Sequence, residues 1–412
     1  MIFSPGDKNM ETVIIIGGGA SGMMAALTAA EDKNRRVILL ERQQRVGRKL
    51  LATGNGRCNL TNTGAGPANY HGENPGFADF ALESFSPQNA LDYFLSLGLV
   101  TVTEHGGRVY PLSNSANSVV DVLRFALERS GVELHAPCPV REIRREKAGF
   151  TVVCDEGILH ADKLIVACGG AAGAKLGGVS DGYELLKALG HKRTKLYPAL
   201  VQLVTDTEYP RALKGVRAEA ALRLLSGREE LCSGWGELQF TEKGISGPAS
   251  FDISRQAAIC GEGAVIDIDF MPDYTLQQVI QLLESRCQGF PQLTAAELFT
   301  GMVHNRLGKM LVKYAAIEQN MPLSRLGEDD IQRAAHACKH FCLKLRGTEG
   351  FDNAQVTAGG IKTTGFNPQT LESWFVPGLF ACGELLDVDG DCGGYNLQWA
   401  WASGRLAGRL GI

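Results

Sequence analysis

The feature that most constrains this chain is an uncharged run near its start, VIIIGGGASGMMAALTAA, residues 13–30. Its length invites a membrane-span reading, since about 20 apolar residues cross a bilayer as a helix. The spacing Gly17-x-Gly19-x-x-Gly22 inside it, and the charged amphipathic segment after it, point instead to a buried strand, a tight turn and a helix. The β-branched residues 13–16 suit a strand buried on both faces. Gly17 permits the turn, Gly19 lets the backbone approach a pyrophosphate, and Gly22 lets the helix pack against the strand. Ala20 and Ser21 open that helix, whose free N–H groups and positive dipole end face phosphates. RVILLE then reads as a second strand ending in Glu41, placed to accept hydrogen bonds from an adenosine ribose, with Arg42 beside it. The pattern predicts a bound ADP moiety and leaves NAD and FAD both open.

A length of 412 residues suggests two or three domains, and 44% apolar with 21% charged residues suits a soluble globular protein. A formal charge of −4 argues against coating nucleic acid by bulk electrostatics and leaves a local basic groove open. The 11 cysteines contain no C-x-x-C pair, so neither a zinc site nor a disulfide framework is expected, and a reducing cytoplasm fits them. The opening MIFSPGDKNMET lacks the basic-then-apolar layout of a leader. His336 and His340 are spaced i, i+4 but lack an H-E-x-x-H context. No metal is expected, and these two histidines read as surface or partner-facing.

The choice between NAD and FAD turns on VPGLFACGELLDVDGDCGGYNLQWAWASGRLAG, which spans residues 376–408. A short apolar strand, residues 378–382, ends at Gly383-Glu384; a glycine-rich loop and a helical pattern over 397–406 follow. A simple NAD dehydrogenase has no obvious use for such a unit. In two-dinucleotide-binding FAD enzymes it holds the other half of the cofactor. Glu384 then lies near the ribityl or pyrophosphate region, and Gly393, Gly394, Tyr395, Asn396 and Leu397 start a helix at the flavin pyrimidine end. A third piece, ADKLIVACGGAAG, reads as a strand over 164–167 followed by Gly169-Gly170, which return to the cofactor. Each piece alone is an ordinary glycine turn; in this order they support non-covalent FAD. No second G-x-G-x-x-G follows a strand, so NAD(P)H as electron donor must reach the flavin directly.

IIIGGGASGMMAA, VGRKLLATGNGRCNLTN, FTEKGISGPA, VTAGGI and GLFACGELLDVDGDCGGYNLQWAWASG together resemble the bacterial BaiN/RdsA-like, or aminoacetone-oxidase-like, flavoprotein family. The resemblance runs from about residue 12 to the C-terminus and is most specific in the G-R-C-N loop and the G-G-Y-N-x-Q-W-A-W segment. It implies an α/β, Rossmann-type FAD domain with an inserted β-barrel and a nested helical domain. It also implies one of three activities: reduction of uridine to dihydrouridine in large-subunit rRNA, reduction of enone bile acids, or oxidation of aminoacetone. Some members carry a histidine where this chain has Glu242, so a role for that histidine does not transfer.

The hydrophobic pattern agrees with this layout. The expected domains are 1–192 with 348–412 for FAD, 193–273 for the barrel with a closing strand near 348–360, and 274–347 for the helices. The stretch ATGNGRCNLTN must run from the adenosine end towards the ring. Gly54, Asn55 and Gly56 let backbone lie against a flat ring, with Arg57 and Asn59 in the same wall. Arg48 or Lys49 is expected at the pyrophosphate, or else as a solvated surface cation. Cys58 is either the proton donor to the reduced carbon or a small buried filler. EKGISGPASF is the other candidate wall of the site, or else only a helix start with Pro248 in its first turn and Ser246 as its N-cap.

Three functions follow. The leading one is an rRNA uridine reductase; residues 292–346 hold eight Lys/Arg against five acids, a helical face suited to RNA phosphates. The second is a small-molecule flavoenzyme, either an enone reductase or an amine oxidase with Trp399, Trp401 and Tyr395 around the amine. The third is a non-catalytic FAD-binding scaffold.

Overall fold

The computed structural model describes residues 10–74 and 76–411. The first nine residues, which include most of the stretch inspected for a leader, lie outside the described residues. The chain divides into two compact units, Met1–Tyr197 with Gln355–Ile412, and Pro198–Ala354.

The first unit is built on β1 (Glu11–Ile16), α1 (Ala20–Ala29) and β2 (Arg35–Leu40). Its parallel five-stranded sheet has the order Leu379–Ala381, Lys163–Val166, β1, β2, Glu133–His135. Val13 to Ile16 are all buried, as the β-branched run requires. A Cβ on Gly22 would lie 1.8 Å from the Gly17 carbonyl oxygen, so α1 sits as close to its strand as a glycine permits. α1 buries nearly every side chain, because the C-terminal helix Tyr395–Gly408 covers its other face. There Gly404 meets the Ser21 backbone and Gly408 meets that of Ala25, at 2.4 and 2.6 Å from their would-be Cβ atoms. Glycines on one helix thus let the two backbones touch, and this fixes the start of each helix relative to the other. The fold class is α/β, a Rossmann-type parallel sheet, with a barrel and helical regions in the inserted unit.

The second unit holds a closed barrel, Leu203–Thr205, Gly244–Ser246, Glu229–Phe240, Arg217–Ser226, Val265–Asp269 and Phe341–Thr348, the last returning to pair with the first. Inward side chains at every second position, such as Leu222 and Leu224, Ile266 and Ile268, or Phe341, Leu343 and Leu345, fill it. Helices Leu276–Gly289, Asn305–Tyr314 and Glu328–Lys339 lie between the last two barrel strands in sequence.

Two expectations need correction here. The closing strand is not near 348–360 but at Phe341–Thr348, inside the stretch read as helix. The alternation of FCLKLRGT was masked by the helical pattern running into it from Glu328–Lys339. Ser246 does not cap a helix either: it is a buried strand residue, and Gly247, at φ +98, caps Pro248–Cys260 with Pro248 in the first turn. Glu242, on the surface of this unit, pairs with Lys214 at 2.9 Å.

Candidate active site

The site residues of the first unit fall into two groups. At the first, Gly17 has φ +109, and a Cβ there would lie 2.4 Å from the Ala167 carbonyl oxygen. Around Gly19 nothing lies within 4 Å of a would-be Cβ, and the same holds for Gly169. Those two glycines leave open space at the positive start of a 10-residue helix, which suits phosphate groups. Ser21 touches Gly383 across this space, with its Oγ 2.4 Å from a would-be Cβ. Glu41, at the end of β2, accepts from the N–H groups of Gly18 at 2.7 Å and Gln43 at 2.6 Å. Burial pushes its pKa up, partly countered by those two hydrogen bonds.

Gly170, Lys49 and Glu384 form a bridge next to this group. Lys49 Nζ lies 2.6 Å from Glu384 Oε2, and Glu384 Oε1 accepts from the Thr357 N–H at 2.9 Å. A Cβ on Gly170 would meet both Thr357 Oγ1 and Glu384 Oε1. Lys49 is therefore engaged by a carboxylate, while Arg48 turns to Gln43 at 2.7 Å and Arg42 to Asp181 at 3.1 Å. These two arginines are placed at the surface and not among the open glycines.

The second group surrounds the start of the C-terminal helix. Gly393 and Gly394 have φ of +133 and +105, and a Cβ on Gly394 would lie 2.5 Å from the Thr61 carbonyl oxygen. The G-R-C-N loop is fastened here by several hydrogen bonds. Trp401 Nε1 donates to the Leu60 carbonyl at 2.8 Å, Thr61 Oγ1 to Gln398 at 2.7 Å, and Asn62 Nδ2 to the Gly393 carbonyl at 2.9 Å. Gly54, Asn55, Gly56 and Cys58 all have left-handed backbone, which lets the loop coil so tightly. Asn55 and Gly56 face solvent, whereas Asn59 Oδ1 is buried without a partner. Tyr70 donates to the Tyr395 carbonyl at 3.0 Å, and the two rings meet edge to face. The Asn396 amide closes its own loop onto Gly390 at 2.7 and 2.8 Å, and Leu397 packs against the core.

Of the two readings given for Cys58, its surroundings match the small buried filler. The Cys58 side chain is 0% exposed in the apolar core, and burial pushes its thiol up to about 12. Arg57 lies over the Tyr110 ring at 3.9 Å and is held by Glu104 and Asn114. Trp399 and Trp401 are fully buried, with both indole N–H groups given to backbone carbonyls, so neither can cage an amine. Sequence reasoning missed Asn62, Thr357 and Arg108. Arg108 lies on the strand Arg108–Pro111, which pairs with Thr61–Asn62, and no local signal in GRVYP marks it.

Among the described residues no group of three or more His, Cys, Asp or Glu is arranged to hold a metal, and no helix is long and apolar enough to cross a membrane. The open glycines at the start of α1 suit the phosphates of a dinucleotide.

The family described as HI0933-like protein Rossmann domain matches residues 11–410. The chain belongs to that family. A 3-dehydro-bile acid delta(4,6)-reductase of Clostridium scindens is 42% identical over 372 residues, 90% of this chain and 91% of the relative. A ribosomal RNA dihydrouridine synthase of Escherichia coli is 31% identical over 369 residues, 87% and 88% of the two chains. Among solved structures, a 3-ketosteroid delta1-dehydrogenase from Sterolibacterium denitrificans is similar with a TM-score of 0.47 at 13% identity, covering 98% of this chain and 99% of that one. The HI0933-like chain described here is an enzyme, a flavin-dependent oxidoreductase.

Proposed function

We propose that this enzyme is an NAD(P)H-driven, FAD-dependent reductase of a carbon–carbon double bond conjugated to a carbonyl. The observation that supports it best is the open space around Gly19 and Gly169 at the start of α1, in a chain of the HI0933-like family. α1 and the open Gly19 and Gly169 would hold the pyrophosphate, Glu41 the ribose, and the start of Tyr395–Gly408 the pyrimidine end of the flavin. When bound, FAD supplies two-electron hydride chemistry. The chain's own part is to orient it. Trp401 and Asn62 pin the G-R-C-N loop to the start of the C-terminal helix, and the left-handed Gly54, Asn55, Gly56 and Cys58 let that loop coil tightly.

Cys58 serves in this reading as packing. Its side chain is 0% exposed among apolar core residues, so it does not face a substrate, and the proton for the reduced carbon comes from elsewhere.

For the substrate, a small enone of the bile-acid type is favoured. The relative at 42% identity carries the name of such a reductase. The basic helical face that suggested RNA is largely neutralised: Lys313, Arg333, Lys339 and Arg346 are ion-paired, and Arg306 binds backbone carbonyls. Uridine in rRNA is the second reading, supported by relatives at 31% and 28% identity. Both reactions saturate a double bond next to a carbonyl, so one site chemistry serves either.

The test uses holoenzyme reduced anaerobically with NADPH, then mixed with 3-oxo-4-cholenoic acid or with rRNA lacking the modification. Flavin reoxidation with a steroid product heavier by two hydrogens is the expected result. Dihydrouridine in the RNA with no steroid turnover would move the assignment to the second reading. Turnover of neither, with a primary amine consumed in oxygen, would contradict both.

A further inference from the structure

His336 and His340 stand at i, i+4 in the sequence without an H-E-x-x-H context, and the inserted unit gives them a context of another kind. Both are exposed at the end of the helix Glu328–Lys339. The His340 N–H donates to the His336 carbonyl at 2.7 Å, so helical spacing holds through the second histidine and sets both side chains on one face. Their ring centres are 5.9 Å apart, with the planes 29° from parallel. His340 Nδ1 lies 3.2 Å from Oδ2 of Asp267, a barrel-strand residue whose side chain is only 6% exposed. Arg223 holds the same carboxylate in place. A fixed carboxylate on one ring nitrogen orients the imidazole and turns its other nitrogen outward, which is how metal-ligating histidines are commonly held. Both rings also line a recess of about 570 Å³, together with Tyr314, Asp329 and Gln332. Asp329 and Gln332 lie seven and four residues before His336, on the same face of the helix.

We infer that His336 and His340 chelate one divalent transition cation of the class that prefers imidazole, such as Zn2+, Ni2+ or Cu2+. His340 ligates through Nε2, the nitrogen that Asp267 leaves free, and His336 through one of its ring nitrogens. Water or the Asp329 carboxylate completes the shell from the recess. Two imidazoles on one cation, each about 2.0–2.1 Å from it, have ring centres about 5 Å apart. The 5.9 Å found here closes by a small rotation of His336, an exposed ring that no hydrogen bond holds among the described residues. With two histidines and no third thiol or acid gathered around them, the site is an open chelate at the surface of the inserted unit and not a closed structural centre. The bound cation joins the end of the helix to the barrel wall, because His340 rests on Asp267 of the strand Val265–Asp269.

The experiment titrates the full-length protein, first freed of metal with a chelator, with ZnCl2 and NiCl2 by calorimetry. It compares wild type with His336→Gln, His340→Gln, Asp267→Asn and Cys342→Ser. One site per chain is expected in wild type, and no binding of MgCl2, which favours oxygen ligands. Each histidine variant is expected to lose about 100-fold in affinity and Asp267→Asn about tenfold. Saturating Zn2+ should raise the melting temperature of wild type and not that of the doubly substituted His336→Gln, His340→Gln protein. Both histidines are exposed, so their variants are expected to fold and they carry the test if Asp267→Asn does not. Cys342, an exposed thiol 3.9 Å from Asp267 Oδ1, is the control for binding through sulfur, and its variant should keep wild-type affinity. Wild-type affinity in both histidine variants would overturn the inference. So would binding that Cys342→Ser alone abolishes, which would put the cation on a thiolate.

Discussion

Helix α1 and the C-terminal helix both start at glycines, yet the two starts are built in opposite ways. At α1 the chain makes its own site within six residues: Gly17 turns, Gly19 stays open and Gly22 packs, with Glu41 brought in by the next strand. At Tyr395–Gly408 the site is assembled from segments far apart in sequence. The loop at 54–62, the strand Arg108–Pro111 and the turn at 390–394 each contribute one wall. The phosphate end is thus a local device and the ring end a tertiary one. The same residue type serves different needs: open space at Gly19, and left-handed backbone under crowding at Gly394.

The largest effect expected is at Gly22. Gly22→Val places atoms inside the Gly17 carbonyl and costs more than about 4 kcal/mol, so no folded holoenzyme is recovered on gel filtration. Gly19→Ala, three residues earlier, meets nothing in the protein; it leaves the melting temperature unchanged and weakens FAD binding by about tenfold. Equal damage from the two would break the local account of the first start.

A buried histidine in the same unit separates fold stability from cofactor binding. His191 stacks on Phe366 at 4.4 Å and meets Ser373 at 3.0 Å, and burial lowers its pKa to about 4. Its unfolded value is about 6.5, so between these values the unfolded chain binds the extra proton and the fold does not. Stability is therefore full above the unfolded value and falls as pH drops towards 4, by about 3 kcal/mol for this one group. Urea titrations at pH 7 and pH 4.5 should show that loss in wild type and a smaller one in His191→Gln.

Gly394→Ala adds a side chain at φ +105 against the Thr61 carbonyl, a strain of about 1–3 kcal/mol. Because the ring end is tertiary, that strain should appear as about tenfold or greater loss of FAD affinity in a protein that still folds. The smallest effect belongs to Cys58→Ala. With the thiol sealed in the core, turnover should stay within about twofold of wild type, at a stability cost of about 1 kcal/mol. A loss of turnover by several orders of magnitude, with FAD retained, would return Cys58 to the role of proton donor.

The same contrast explains how much could be read from sequence. β1, α1, β2 and the turn at Gly17 and close packing at Gly22 were legible because spacing within one βαβ unit dictates them. So was a C-terminal strand followed by a helix, although Tyr395–Gly408 starts two residues earlier than its apolar pattern suggested. Arg108 was not legible, since nothing in GRVYP says that its strand pairs with Thr61–Asn62 and brings it to Gly393. The side-chain partners of Arg42 and Arg57 were not legible either, since charge in sequence does not reveal that Asp181 and Glu104 will pair with them. The barrel's last strand was hidden because Phe341, Leu343 and Leu345 also continue the helical spacing that precedes them.

The most direct test of the central claim is to mix the purified protein anaerobically with NADPH, then NADH, and follow the visible flavin absorption. Rapid bleaching by one of the two is predicted, with recovery on adding a conjugated enone. A protein without flavin absorption, or one that only a primary amine can bleach, would contradict the account.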